Sequence, residues 1–305
     1  MEKFSDSSAN WPCVSRHDEN EAKEAKGSRT HPSDAVWYYD DPYLPTRIFV
    51  NIDFKSYAAS SLESLDISVA LRSLSRAVEC ANKSVDFQER FYEGNSGETV
   101  GALFVYNHDN EYDTSRFDGV IGRAALDAFD APKRRRMYIL GPARIGYLLS
   151  VATDMALISA EQDVRNHKAS FFAPDLIGRP ARSDSALPLE SLLGPWQTLK
   201  LSGVKDGRPH IQYHIYCDGD GDRLDEYEYL IDYLFRYQML EENNEVFLRY
   251  VRPSKNAPLN FDAGRKRYVS RFLALPEIEQ RLAKVRYQSV RVAHYVFSDI
   301  EIGMQ

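Results

Sequence analysis

The sequence predicts an α/β (α+β) chain: a mixed sheet flanked by helices, followed by a second, smaller α+β domain. Three observations carry this expectation. Strand-like and helix-like segments interleave through the first half, the order that packs helices onto a sheet. The hydrophobic period changes from two to alternating three and four just after Ser60. Finally, a Pro-, Ser- and Asp-containing stretch (FFAPDLIGRPARSDSALP) within residues 165–190 reads as a linker or long connection. The expected domains are therefore 1–165 and 185–305.

Taken in order, Arg16 to Lys26 (RHDENEAKEAK) has strong helix formers but little apolar face, so it reads as a marginal, exposed helix. Ala35 to Tyr39 (AVWYY) is β-branched and aromatic, hence a strand. The turn-rich DDPYLPT then leads into a second strand, Arg47 to Lys55, and the two most simply form a hairpin. Ile67, Leu71, Leu74, Val78 and Ala81 make one face of a helix, with Ser60 and Glu63 as its expected capping box. Gly101 to Tyr106 and Met137 to Leu140 are strands, the latter running into an apolar helix from about Ala143 to Leu157. In the second half, strands are expected at His210 to Cys217, Glu245 to Val251, Arg267 to Leu273 and Val290 to Ile302. Helices are expected at Leu224 to Leu240 and Pro276 to Lys284, and no internal repeat is evident.

Composition narrows the function. The 305 residues carry 38 Lys+Arg against 45 Asp+Glu, a net charge of -7, which argues against non-specific coating of nucleic acid but not against a local basic surface. With 43% hydrophobic and 27% charged residues, the chain has enough apolar material for a sizeable core. No apolar run approaches the ~18 residues of a membrane-spanning helix, and the polar MEKFSDSSANWPC start does not read as a signal peptide. Cys13, Cys80 and Cys217 lie far apart with no CxxC pair, so neither a disulfide framework nor a zinc ribbon is expected, and a reduced, cytoplasmic setting is. The absence of a Walker motif and of a dinucleotide fingerprint counts against an ATPase or a Rossmann oxidoreductase.

The stretch richest in chemistry is residues 30–57. Alternation along the second strand sends Ile48, Val50, Ile52 and Phe54 one way and Asn51, Asp53 and Lys55 the other. A hairpin would return Asp34 to the neighbourhood of Asp53. Two converging carboxylates repel unless a cation lies between them, and hard oxygen ligands suit Mg²⁺. A neighbouring lysine can then orient or help deprotonate water. The alternative is bland: Asp53 and Lys55 as the solvated face of a half-buried strand, with Asp34 a turn or cap residue.

Pro32-Ser33-Asp34 and Asp53-Phe54-Lys55, with eighteen residues separating the two acids and a helix and a strand following, resemble the PD-(D/E)XK, or restriction-endonuclease-like, nuclease superfamily. The resemblance spans roughly residues 15–110. It implies a restriction-endonuclease-like mixed sheet, Asp34 and Asp53 as metal ligands with the Phe54 carbonyl, Lys55 near the attacking water, and Mg²⁺ or Mn²⁺ as cofactor. This sequence departs from the pattern by one extra residue between proline and acid, and by Asp where Glu is commoner. Many members carry a Glu on the first helix. Glu19, Glu21 and Glu24 are available here, nothing selects among them, and Glu21 is kept with His108 as an auxiliary candidate.

Two basic runs, Lys133-Arg134-Arg135-Arg136 and Arg265-Lys266-Arg267, are candidates for gripping phosphates, with solvated charged loops as the equally good alternative. Asp218-Gly219-Asp220-Gly221-Asp222 opens like a calcium loop but has Arg223 and Tyr229 where Gly and Glu belong, so it reads as a helix entry. His210 and His214 sit about 13 Å apart on a strand, too far to share a metal. The expectation is a metal-dependent phosphodiesterase acting on nucleic acid, most simply a DNA endonuclease in restriction or phage defence, with a protein partner or homo-oligomer as further possibilities and no membrane. The rival is a non-catalytic nucleic-acid- or protein-binding subunit of an assembly.

Overall fold

A computed structural model describes residues 3–4, 9–14, 30–124, 136–161, 166–175, 180–181, 186–272 and 275–292. The chain divides into two compact units, one up to Ile145 and one from Gly146.

The first unit is built on a five-stranded sheet ordered β1 (Lys3–Phe4), β4 (Ala35–Asp40), β5 (Arg47–Tyr57), β6 (Gly97–Asn107), β7 (Met137–Leu140). The first two pairings are antiparallel and the last two parallel. A small ribbon of β2 (Ala9–Pro12) and β3 (Thr30–Ser33) stands apart from it. The expected hairpin of β4 and β5 forms, in the register Ala35 opposite Ile52. Its β5 is buried on both faces from Ile48 to Ile52, as befits the middle of a covered sheet, and opens only at Asp53.

Between β5 and β6 lie α1 (Ala59–Glu63), α2 (Ser68–Ala81) and α3 (Val85–Phe91), the crossover that parallel strands require. Ile67, Leu71, Leu74 and Val78 bury against Leu103 and Val105 of β6, as their spacing predicts, and Phe117 and Val120 of α4 (Phe117–Arg123) join the same cluster. The expected Ser60 cap does not form: α1 begins after Ala58, whose own side chain makes no cap, and the helix breaks before Ser68. Asp66 accepts the Ser68 amide and restarts it. Beneath α2 and α3, Trp11, Phe49, Phe87 and Tyr92 form an aromatic core, with Phe49 and Tyr92 stacked at 4.3 Å. Each such buried ring contributes about 1.5–3 kcal/mol.

The second unit has its own sheet, ordered β12 (Val285–Ser289), β11 (Asn244–Tyr250), β10 (Arg208–Cys217), β9 (Trp196–Lys205), β8 (Lys168–Phe171). Pairings β8–β9 and β9–β10 are antiparallel, and β10–β11 and β11–β12 parallel. The two sheets therefore share one strand order and one pattern of directions. Asp206 and Gly207, at φ 53° and 74°, turn β9 into β10 through the left-handed backbone that a two-residue hairpin favours. On the other face from α7 (Leu224–Arg236) and α8 (Ala257–Arg271), Tyr147 and Val151 of α5 (Pro142–Ser159) pack on Leu199, Leu201 and Tyr216. A short α6 (Leu189–Leu193) leads into β9. The first face is covered by α7 and α8, where Tyr227, Leu230, Phe261 and Tyr268 pack on Ile215 and Leu248. The expected helix at Pro276 forms as α9 (Pro276–Ala283).

Several expectations change here. The division falls inside α5 rather than at 165–185, because α5 and β8 belong to the second unit's core and sheet. Neither β9 nor α3 is among the elements that the sequence predicts. Arg267 to Leu273 is no strand, since α8 continues through Arg271. The last strand among the described residues is β12 at Val285–Ser289, and most of Val290 to Ile302 lies outside them. The marginal helix at 16–26 also lies outside them.

Candidate active site

Strand β4 starts at Ala35, so β5 loses its neighbour on that side beyond Ile52. Asp34 takes up the vacated position. Its amide donates to the Ile52 carbonyl at 3.2 Å, and its Oδ2 accepts the Phe54 amide at 2.7 Å. The N–H and C=O of one strand residue face the same neighbour, so the Phe54 carbonyl is turned towards Asp34 as well. Behind it, Ser33 is hydrogen-bonded to Asn51, a wholly buried residue on β5, which fixes the chain just ahead of Asp34.

Asp53 and Lys55 lie on the face of β5 that their alternation predicts, and Lys55 Nζ is 2.5 Å from Asp53 Oδ1. Phe54, on the opposite face, rests on Phe104 of β6 and is half exposed, because β4 no longer flanks it. Burial raises the Asp53 carboxyl above the usual carboxylate range; Lys55 works against the rise, and the Asp34 carboxyl, within hydrogen-bonding reach, adds to it. Burial works to lower the Lys55 pKa, yet the bond to Asp53 and the negative charges of Asp53 and Asp34 outweigh it and the net shift is upward. Two carboxyls and a main-chain carbonyl thus converge beside an ammonium group. That is a hard-oxygen donor set, and the like charges of Asp34 and Asp53 are what a divalent cation would relieve.

Residues 4–144 match the family model of the GAPS4 protein PD-(D/E)XK nuclease domain. The chain carries a PD-(D/E)XK nuclease domain. Its mixed sheet flanked by helices is the restriction-endonuclease-like architecture expected of that domain. No curated protein matches the chain.

The other candidates scatter around or away from the nuclease domain's acids. His108 follows β6, and its Nδ1 lies 3.1 Å from Ser56 Oγ, one residue beyond Lys55. The adjacent Asp109 accepts the Ala59 amide at 2.9 Å and so caps α1. Glu21, with Glu19 and Glu24, lies outside the described residues, as do Lys133, Arg134 and Arg135. Arg136 pairs with Glu98 at 3.0 Å.

In the second unit, Arg265 and Arg267 belong to a helix. Arg265 pairs with Asp262, while Arg267 and Arg271 reach the buried Glu228 carboxylate at 2.7 and 2.6 Å; Lys266 is exposed. The same unit holds a polar cleft of about 840 Å³ over the sheet face bearing His210, His214, Glu245, Arg249 and Arg286. His210 Nδ1 donates to the Asn243 carbonyl at 2.7 Å and His214 stacks on Phe247, so the two histidines serve separate contacts.

Sequence reasoning missed Ser33 and Asn51 as supports of Asp34. Their only signal was polarity at a strand position that burial should have made apolar.

Proposed function

We propose that the nuclease domain hydrolyses phosphodiester bonds of DNA, with Mg²⁺ or Mn²⁺ held by Asp34, Asp53 and the Phe54 carbonyl. The observation that carries this is the meeting of Asp34 and Asp53 at the point where β4 leaves β5, with Lys55 Nζ 2.5 Å from Asp53. When bound, the ion supplies Lewis-acid stabilisation of the charge that builds on the phosphoryl oxygens. Lys55, kept as an ammonium by the two carboxylates, donates to the attacking water and holds it in line with the scissile bond. Water's oxygen bonds to phosphorus as the bond to the leaving sugar oxygen breaks, the attacking water giving up a proton to solvent and the sugar oxygen taking one from it. Asp34 is itself oriented by the Phe54 amide, so the donor set is assembled before substrate arrives.

The second unit's polar cleft and the Arg265-Lys266-Arg267 segment are the surfaces we assign to substrate or partner contact. Restriction or phage defence in the cytoplasm is part of the same proposal, supported by the family match and by cysteines that form no disulfide among the described residues. No helix among those residues is long and apolar enough to cross a membrane.

The test is plasmid nicking by the full chain with Mg²⁺ or Mn²⁺, repeated with Asp53→Asn and Lys55→Met. Metal-dependent nicking lost in both variants supports the proposal. Nicking that survives both, or silence on DNA with either metal, overturns it; silence on DNA with cleavage of RNA would shift the substrate instead.

A further inference from the structure

We propose a second metal site in the first unit, a zinc centre formed by Cys13, His31 and Cys80. Cys13 follows β2, His31 lies on β3 and Cys80 on α2. One ligand atom from each comes within 4.8 Å of the others. The two sulfurs are 3.7 Å apart. That is far beyond a disulfide bond of about 2.05 Å. It matches the edge of a tetrahedron with zinc–sulfur bonds of about 2.3 Å, whose sulfurs stand about 3.8 Å apart.

The chemistry of the donors selects the ion. Two thiolates and an imidazole are soft-to-borderline ligands, suited to Zn²⁺ and unlike the carboxylates and carbonyl at Asp34 and Asp53. Two thiolates also neutralise the dication, which matters because Cys80 is fully buried and Cys13 half-buried. The fourth coordination position is open to water or another donor.

The placement gives the ion a task. The ribbon of β2 and β3 stands outside the main sheet, and a metal there ties both of its strands to α2. His31 is three residues ahead of Asp34 on the same run of chain, so the tether fixes the approach of the acid that closes the active site. Zinc binding stands independently of the catalytic proposal, since it is read from metal content rather than cleavage.

The experiment is metal analysis of the full chain purified from zinc-replete medium under reducing conditions without chelator. About one equivalent of zinc per chain is expected, falling about tenfold or more in Cys13→Ser, Cys80→Ser and His31→Ala, and kept in His31→Cys. Should those variants fail to fold, the wild-type chain decides alone: cobalt substitution should give a thiolate-to-cobalt charge-transfer band, and X-ray absorption at the zinc edge should show two sulfur neighbours. Zinc absent from the wild type with no cobalt band overturns the site. So does zinc retained unchanged in both cysteine variants, or a metal-free chain whose mass shows Cys13 and Cys80 joined as a disulfide.

Discussion

The amide of Phe54 donates to the carboxylate of Asp34 across 2.7 Å, in the place where a further residue of β4 would have paired with β5. One side chain thereby does the work of a missing strand residue. Asparagine can accept the same amide but carries no charge. Asp34→Asn is therefore expected to keep the thermal midpoint while lowering cleavage by about 100-fold or more. Plasmid nicking beside a melting curve checks this, and unchanged cleavage would remove Asp34 from the donor set.

Lys55 is expected to matter for rate rather than for folding, since it is more than a third exposed and its pair with Asp53 is screened by water. Lys55→Met should lower the cleavage rate by about 100-fold with little change in stability, and Lys55→Arg should recover part of the loss by restoring a cation. Single-turnover cleavage separates this from weaker substrate binding.

His214 sets an acid limit on the second unit. Burial, helped by Arg249 and opposed by Asp154 and Glu245, lowers its pKa from 6.5 to about 4. The folded state thus binds fewer protons than the unfolded one between those values. Its stabilising contribution is complete above pH 6.5 and is lost as pH falls towards 4, by up to about 3 kcal/mol. Urea unfolding at pH 7 and 4.5 should show that loss in the wild type and a shallower one in His214→Gln; identical pH slopes would refute it.

Glu228 is 5% exposed and its carboxylate is shared by Arg267 and Arg271. Removing both arginines strands a buried charge, a change that costs about 3–5 kcal/mol, whereas Glu228→Gln leaves two cations that can turn to water and should cost about 1–3 kcal/mol. Chemical denaturation of Arg267→Ala/Arg271→Ala against Glu228→Gln orders the two. A double variant as stable as the wild type would free these arginines for phosphate contacts.

The nuclease hairpin was legible because its signals are local: alternation, two prolines in the turn, and acids at the strand ends. The α2 stripe was legible too, but its start was not, since Ser60 and Asp66 both offer caps and only packing decides between them. Arg267 to Leu273 misled through its aromatic and β-branched residues, although Phe261, Gly264 and Tyr268 repeat at helical spacing leading into it. A seven-residue helix such as α3 leaves little period to read, and its one mark is Ser84 accepting the Phe87 amide. Cys13, His31 and Cys80 follow no ligand spacing at all. Strand pairing and the lie of α2 bring them together, and neither is written in the intervals between them.

The shared strand order of the two sheets allows a position-by-position comparison. Trp196 faces Cys217 as Ala35 faces Ile52, so the counterparts of Asp34 and Asp53 are Pro195 and Asp218, and Asp220 stands where the first sheet has Lys55. A proline that cannot coordinate and an anion in place of the ammonium leave the second copy of the architecture without the set. If the proposed function holds, each polypeptide offers one hydrolytic centre among its described residues, and breaking a duplex through both strands would call for two molecules or two successive visits.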